Sequence, residues 1–439
     1  MSEQINPEPI HHFPVRPNLD QLKNQAKDLL RRIRNGETDA IAEFNSFYPH
    51  ALDQSAIKLG EIKLTGVQHA LARSYGAPSW TRMVQSCRLI DAIWRDDPEA
   101  VRELVTKHPN LIHENAGIQN RNWGPPMSYA ANVGRNEIIQ MLYDLGARDL
   151  QHAIDRALLQ SKLETARLLH RLMGSPRLPD DVLGGTAYTL SATGTQLALE
   201  LGAKVVDEHG RNVAPVDVVL ESDSRKPESK HRILELFVQH GVTLPDTPVM
   251  ALHRGRIDLL EDHLRRDPHL LKRTFTHNEI YPPELGCHDE VLATQGTPLA
   301  GTSLLHLCAD YDEIEIARWL LELGMDPNVR AAVDEDGFGG HTALFGTVVS
   351  QPAFWMNYTQ QPQEAPFTQL LLDHGADPGI RASLRKKLHP GYAPRYDVEN
   401  TYEYRNVTAL EWGRRFHAKV FVSEPALKLI EAKKKKKIM

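Results

Sequence analysis

Along most of this chain apolar residues return at spacings of three and four, in short runs broken by glycine, Asp-Pro or a polar loop. That period predicts amphipathic helices of a few turns each. The clearest run is Ile314, Ile316, Ala317, Leu320 and Leu321, one stripe that stops at Gly324 and is followed by Asp326-Pro327. Glycine there and at Gly375 is placed to end a helix in a left-handed conformation. Upstream, Leu19, Leu22, Ala26, Leu29, Leu30 and Ile33 predict a helix capped by Asn18 and interrupted at Gly36. Shorter patterns pass through Ile41 and Phe44, follow Thr65 at Val67, Ala70 and Leu71, and follow Ser79 at Trp80, Met83 and Val84.

The runs recur on one skeleton. From turn residue to closing glycine, Ser303 to Gly324 is 21 residues, and Pro125 to Gly146 is also 21. Thr342 to Gly375 is 33, an insert of 12, and Ala214 to Gly241 is 27, an insert of 6. Asp91 to Leu111 and Thr247 to Leu271 resemble each other. His152 to Gly174 and Thr186 to Gly202 read as eroded units, and Val407 to Ala432 repeats the Thr342-Ala343-Leu344 entry. The expected total is eight or nine units between about residues 91 and 432.

Gly301 to Asn328, GTSLLHLCADYDEIEIARWLLELGMDPN, identifies the type of unit: it resembles one whole ankyrin repeat. Ser303, Leu304, Leu305 and His306 stand in the T-P-L-H turn, Ala309, Glu315, Ile316, Leu320 and Leu321 in the helices, and Gly324, Asp326, Pro327 and Asn328 in the closing stretch. The resemblance implies an all-α fold, a helical solenoid of ankyrin-like helix-turn-helix repeats, and a surface that binds rather than catalyses. Residues 17–88 carry LxxLKxQAKxLL and then ALARxYGxPSW, and resemble a helical module found ahead of ankyrin repeats in bacterial proteins. The expected organisation is a disordered 1–16, a helical cap at 17–88, a solenoid at 91–432 and a basic tail at 433–439.

A net charge of −6 and a pI near 6.4 give no long-range pull toward nucleic acid or an anionic membrane. Three cysteines, Cys87, Cys287 and Cys308, are too few and too far apart for a disulfide framework and suit a reducing cytosol. The opening MSEQINPEPIHHFPVRP lacks the basic and apolar regions of a secretory leader, and no apolar run is long enough to span a bilayer. A cytoplasmic protein is expected.

Insertions point to the candidate site. Between units an insertion lengthens a finger, and the long ones are at 275–300, 331–340 and 381–405; that at 351–366, with Phe354, Trp355 and Tyr358, lies inside a unit. The three fingers are successive, so they should stand side by side, and per-repeat insertions often mark the binding face. Tyr281, His288, Phe338, His341, Arg385, Lys387, Tyr392, Tyr396 and Tyr402 are the candidate partner-binding residues, since aromatics and arginine are enriched at interface centres.

No phosphate loop, dinucleotide fingerprint, zincin or nucleophile-elbow motif occurs, and no acid–base pair can be assigned. Cys287-His288-Asp289-Glu290 has four ligand types, but neighbours on an extended loop point apart. His306 is expected to satisfy backbone groups locally. The function expected is non-enzymatic, without cofactor or metal: binding of a protein or peptide through the concave face and fingers. Two rivals are a small-molecule binder or enzyme with its pocket under the fingers (His288, Asp289, Glu290, His341 and Lys387 in reach), and a self-associating scaffold.

Overall fold

The computed structural model describes residues 8–48, 61–119, 123–222, 224–293, 296–350, 363–388 and 399–438, with side chains to 435. It divides into two units, Met1–Pro176 and Arg177–Met439.

In the N-terminal unit three helices, Leu19–Arg34, Thr38–Phe47 and Leu64–Ser74, close around Leu29, Ile33, Phe44, Phe47 and Val67. Asn18 caps the first as its spacing predicts, Oδ1 accepting from the backbone N–H of Asp20 (2.9 Å) and Gln21 (3.1 Å). Helix pairs follow: Trp80–Arg95 with Pro98–Lys107, Pro126–Val133 with Asn136–Asp144, and Leu150–Leu159 with Leu163–Leu172. The first helices of these pairs pack on one another in order. Two expectations change here. The helix Trp80–Arg95 runs through the boundary expected between residues 88 and 91, because Ser79 caps it and nothing in WTRMVQSCRLIDAIWR breaks it. Residues 8–16, expected to be disordered, lie against the fold with Phe13 only 2% exposed.

In the C-terminal unit the pairs are Val182–Tyr188 with Ala192–Glu200, Val216–Leu220 with Pro227–Gln239, Pro248–His253 with Ile257–Arg266, Leu304–Tyr311 with Ile314–Glu322, Ala343–Gly346 with Pro366–Asp373, and Ala409–Arg415 with Glu424–Ile438. Helix Leu304–Tyr311 is buried throughout and sits between Pro248–His253 and Ala343–Gly346, which in turn packs on Ala409–Arg415. Second helices keep one apolar stripe each; in Ile314–Glu322 it is Ile316, Ala317, Leu320 and Leu321, and Gly324 follows at φ +89°. Two features depart from a purely helical reading. Strands β1 (Arg381–Lys386) and β2 (Tyr402–Thr408) pair antiparallel, with a register irregularity between Ala382 and Leu384. The last helix continues through the lysine run to Ile438, and Lys433 Nζ donates to the Leu372 carbonyl at 3.2 Å, so the basic segment is not a detached tail.

Candidate interaction site on the fingers

The fingers grow from the turn of the regular repeat. Ser303 Oγ lies 2.8 Å from His306 Nδ1, and His306 Nε2 lies 3.0 Å from the His341 carbonyl. The carbonyl can only accept, so Nε2 carries the proton and Nδ1 accepts from Ser303. His341 in turn donates Nε2–H to the Pro298 carbonyl at 3.0 Å. His306 therefore satisfies backbone groups locally, where Nδ1 also accepts from the Ser303 N–H at 3.3 Å, and in the next repeat as well. Burial pulls both imidazoles down, His306 to about 4 and His341 to about 3, with His306 adding to the second shift.

Backbone hydrogen bonds join the three fingers in series. Phe275 and Gly301–Thr302 close the base of the first finger (Phe275 N to Thr302 O 2.7 Å, Gly301 N to Phe275 O 2.8 Å). Ala332 N of the second finger donates to Gly301 O at 2.7 Å, and Gly339 N donates to Ser383 O of β1 at 2.7 Å. Lys387 N of the third finger reaches back to Leu292 O at 3.1 Å, and its ammonium pairs with Glu290. The adjacency expected from insertion lengths is what the backbone does.

The second finger is a tight turn. Asp334 Oδ1 accepts from Asp336 N (3.0 Å) and Phe338 N (2.8 Å), and Gly339 has φ +118°. A Cβ at Gly339 would lie 1.9 Å from the Ala332 carbonyl oxygen, whereas one at Gly337 would meet nothing. Gly339→Ala should therefore destabilise the C-terminal unit by more than ~1 kcal/mol, with Gly337→Ala milder. Urea melts of the two variants compare them; equal midpoints would refute this packing.

Phe338 is 4% exposed, held between two guanidinium groups: Arg385 lies 4.7 Å and Arg405 4.3 Å from its ring centre. Arg385 also pairs with Asp334 (2.7 Å) and Asp336 (2.8 Å). Tyr402 is half-buried, stacked 3.8 Å from His417. Val333 stands 61% exposed on the same finger as Phe338.

Beneath the first finger lies a charged interior. Arg225 Nη2 meets Asp310 Oδ2 at 3.0 Å, and Glu313 takes Lys230 at 2.8 Å and His231 at 2.9 Å. Arg225, Lys230, Asp310 and Glu313 are each at most 7% exposed. Tyr311 roofs both cations, 5.0 Å from Arg225 and 4.3 Å from Lys230, and its hydroxyl donates to Tyr281 Oη at 2.7 Å. Glu221 fastens the finger, accepting from the N–H of His288 (2.7 Å) and Asp289 (2.8 Å).

The candidate residues thus part company. Tyr281, Phe338 and His341 are buried and hold the fingers together, so as they stand they offer no surface to a partner, a correction to their expected role. Their size and hydrogen-bonding capacity suit a small loop core as well as an interface, which is why composition alone did not separate the two. His288 projects its side chain, 80% exposed, while Arg385 and Lys387 are partly exposed and ion-paired. Tyr392 and Tyr396, like most of the insert at 351–366, lie outside the described residues. Val333 and Arg405 were missed: a lone valine in a polar turn gives no sign of exposure, and Arg405 lies on strand β2, which the helical reading did not expect. No group of three His, Cys, Asp or Glu is placed to hold a metal ion among the described residues, and no helix there is long and apolar enough to cross a membrane.

Stacked helix pairs linked by fingers define a helical-repeat protein. Residues 300–332 match the family model for the ankyrin repeat, so the chain carries an ankyrin repeat and is in that sense an ankyrin-repeat protein. Such repeats generally serve as protein-interaction modules, and the family is generally non-enzymatic. Among solved structures the chain is similar to the ankyrin repeat domain of human ASB11, at 16% identity over 70% of this chain and 97% of that one, with a TM-score of 0.24. No curated protein sequence matches.

Proposed function

We propose that the protein binds a protein or peptide partner along the finger edge of its C-terminal unit, without a cofactor. The observation that carries this reading is the clasp of Phe338 between Arg385 and Arg405, beside the exposed Val333. Arginine faces next to an apolar side chain, on a backbone already fixed to its neighbours, form a preorganised contact that costs little ordering on binding. The acidic residues among them, Asp334, Asp336 and Glu403, favour a partner of mixed rather than single-sign charge. Cytoplasmic residence belongs to the same proposal and is supported by three buried, unbridged cysteines.

A second reading, a ligand or catalytic pocket under the first finger, is favoured by one observation: Asp310 Oδ1 is buried without a hydrogen-bond partner among the described residues. Site-specific photo-crosslinking separates the readings. A benzoylphenylalanine at Val333 should capture a partner that the same group at Val213, 41% exposed in the same unit, does not. Arg405→Gln should abolish that adduct. Identical adducts at both positions, or an adduct indifferent to Arg405→Gln, would sink the finger-edge reading.

A further inference from the structure

The N-terminal unit holds a non-helical segment, bent at His11 and at Val15–Arg16, in a groove built of side chains from separate elements. Pro9 packs over Gly76, whose missing Cβ would otherwise approach the proline ring to 3.0 Å. His11 lies 5.0 Å from the Tyr75 ring, donates its backbone N–H to the Ser74 carbonyl at 3.0 Å, and reaches Glu43 at 3.0 Å. Phe13 enters edge-on to Tyr75, at 6.1 Å and 81°. The carbonyls are read by side chains: Gln119 Nε2 donates to His11 O at 2.7 Å, and the Tyr129 hydroxyl donates to Val15 O. Arg16 lies over Trp94 at 5.2 Å, and Pro17 is buried. Pro14 and Val15, with Ile90 and Trp123, line a cavity of about 20 Å³, room for about one water or methyl group.

An aromatic-lined cleft whose side chains take the carbonyls of a proline-bearing segment has the means by which folded domains recognise peptides. We propose that this groove is a peptide-binding site, filled in cis by residues 9–17, whose trans ligand is a Phe-Pro-Val-Arg segment of a partner protein. The cis segment is the competitor. Tethered one helix cap away, it acts at an effective concentration of about a millimolar, so a trans peptide prevails only when it fits better or when the segment is displaced. This site is independent of the finger edge.

The test uses the full chain and a labelled peptide of sequence PIHHFPVRPN. Phe13→Ala should bind it at least tenfold more tightly than wild type, and a peptide with alanine for its phenylalanine should not bind. A Phe13→Ala chain that still melts cooperatively yet binds no better than wild type overturns the proposal. So does a concentration-dependent dimer, which would make a second copy the occupant. Hydrogen exchange on the unmodified chain tests the same site without a variant. The His11 amide should exchange at least a hundredfold faster than amides central to Trp80–Arg95, because the segment opens while the helix stays folded. Equal protection would make residues 9–17 an inseparable part of the core and refute the site.

Discussion

Taking the protein from pH 7 to pH 5 should lower the stability of the C-terminal unit, with the largest part coming from His306 and His341. Both are fully enclosed, and burial holds them at about 4 and about 3 in the folded state, against 6.5 when unfolded. Between those limits the unfolded chain takes up protons that the folded chain refuses, so stability falls as pH drops below 6.5. Each group contributes about 1.4 kcal/mol per pH unit, and the two together about 4 kcal/mol by pH 5. His253, pushed well below its usual value by burial and then by Lys230, acts in the same sense. Asp310, raised by burial, acts in the opposite one, because its folded form favours the proton. The contribution of His306 is isolated by difference. His306→Gln can still donate to the His341 carbonyl but does not titrate, so urea melts from pH 7 to 4.5 should show a slope flatter by about 1.4 kcal/mol per pH unit. An unchanged slope would mean that His306 is not the buried neutral group described.

The second large effect concerns Glu313. Its carboxylate is 2% exposed and receives Lys230 and His231. Burial pushes Glu313 up, yet the Lys230 ammonium and the hydrogen bond with His231 bring it below its usual range, while burial pulls Lys230 down against the pull of Glu313. Glu313→Ala strands an ammonium 3% exposed beneath the Tyr311 ring, and should cost about 3–5 kcal/mol. Lys230→Met combined with Glu313→Leu removes both charges and both desolvation costs, and should recover most of that loss. A single variant within 1 kcal/mol of wild type, or a double variant no better than the single, would be incompatible with a buried pair.

Much of the fold is legible in the sequence because helix periodicity and chain punctuation are local. Ile314 to Leu321 and Gly324 mark a second helix and its end without reference to anything distant, and insertion lengths mark the fingers. The charged interior was not legible. Arg225 sits in DSRKPES, which has every mark of a polar loop, and becomes interior only because Asp310 of a later repeat meets it. A signal was present nonetheless: Asp310 occupies a helix whose every other position is aliphatic, histidine, cysteine or tyrosine, and a charge there requires a counter-charge from elsewhere. β1 and β2 were missed for a related reason. Their pairing spans Arg381 to Thr408, and RASLRK has little strand character of its own.

Helix Trp80–Arg95 belongs to two neighbourhoods at once: Ser79 starts it at the end of the N-terminal cap, and its far half packs as the first helix of the first repeat pair. The cap and that repeat therefore lack a point at which the chain can be cut without leaving a half-helix with an exposed apolar side. A fragment beginning at residue 89 would lose the cap residue, Met83, Ser86 and Cys87 together. Evolutionary shuffling of the cap between repeat arrays would meet the same obstacle, so it should travel with its first repeat attached.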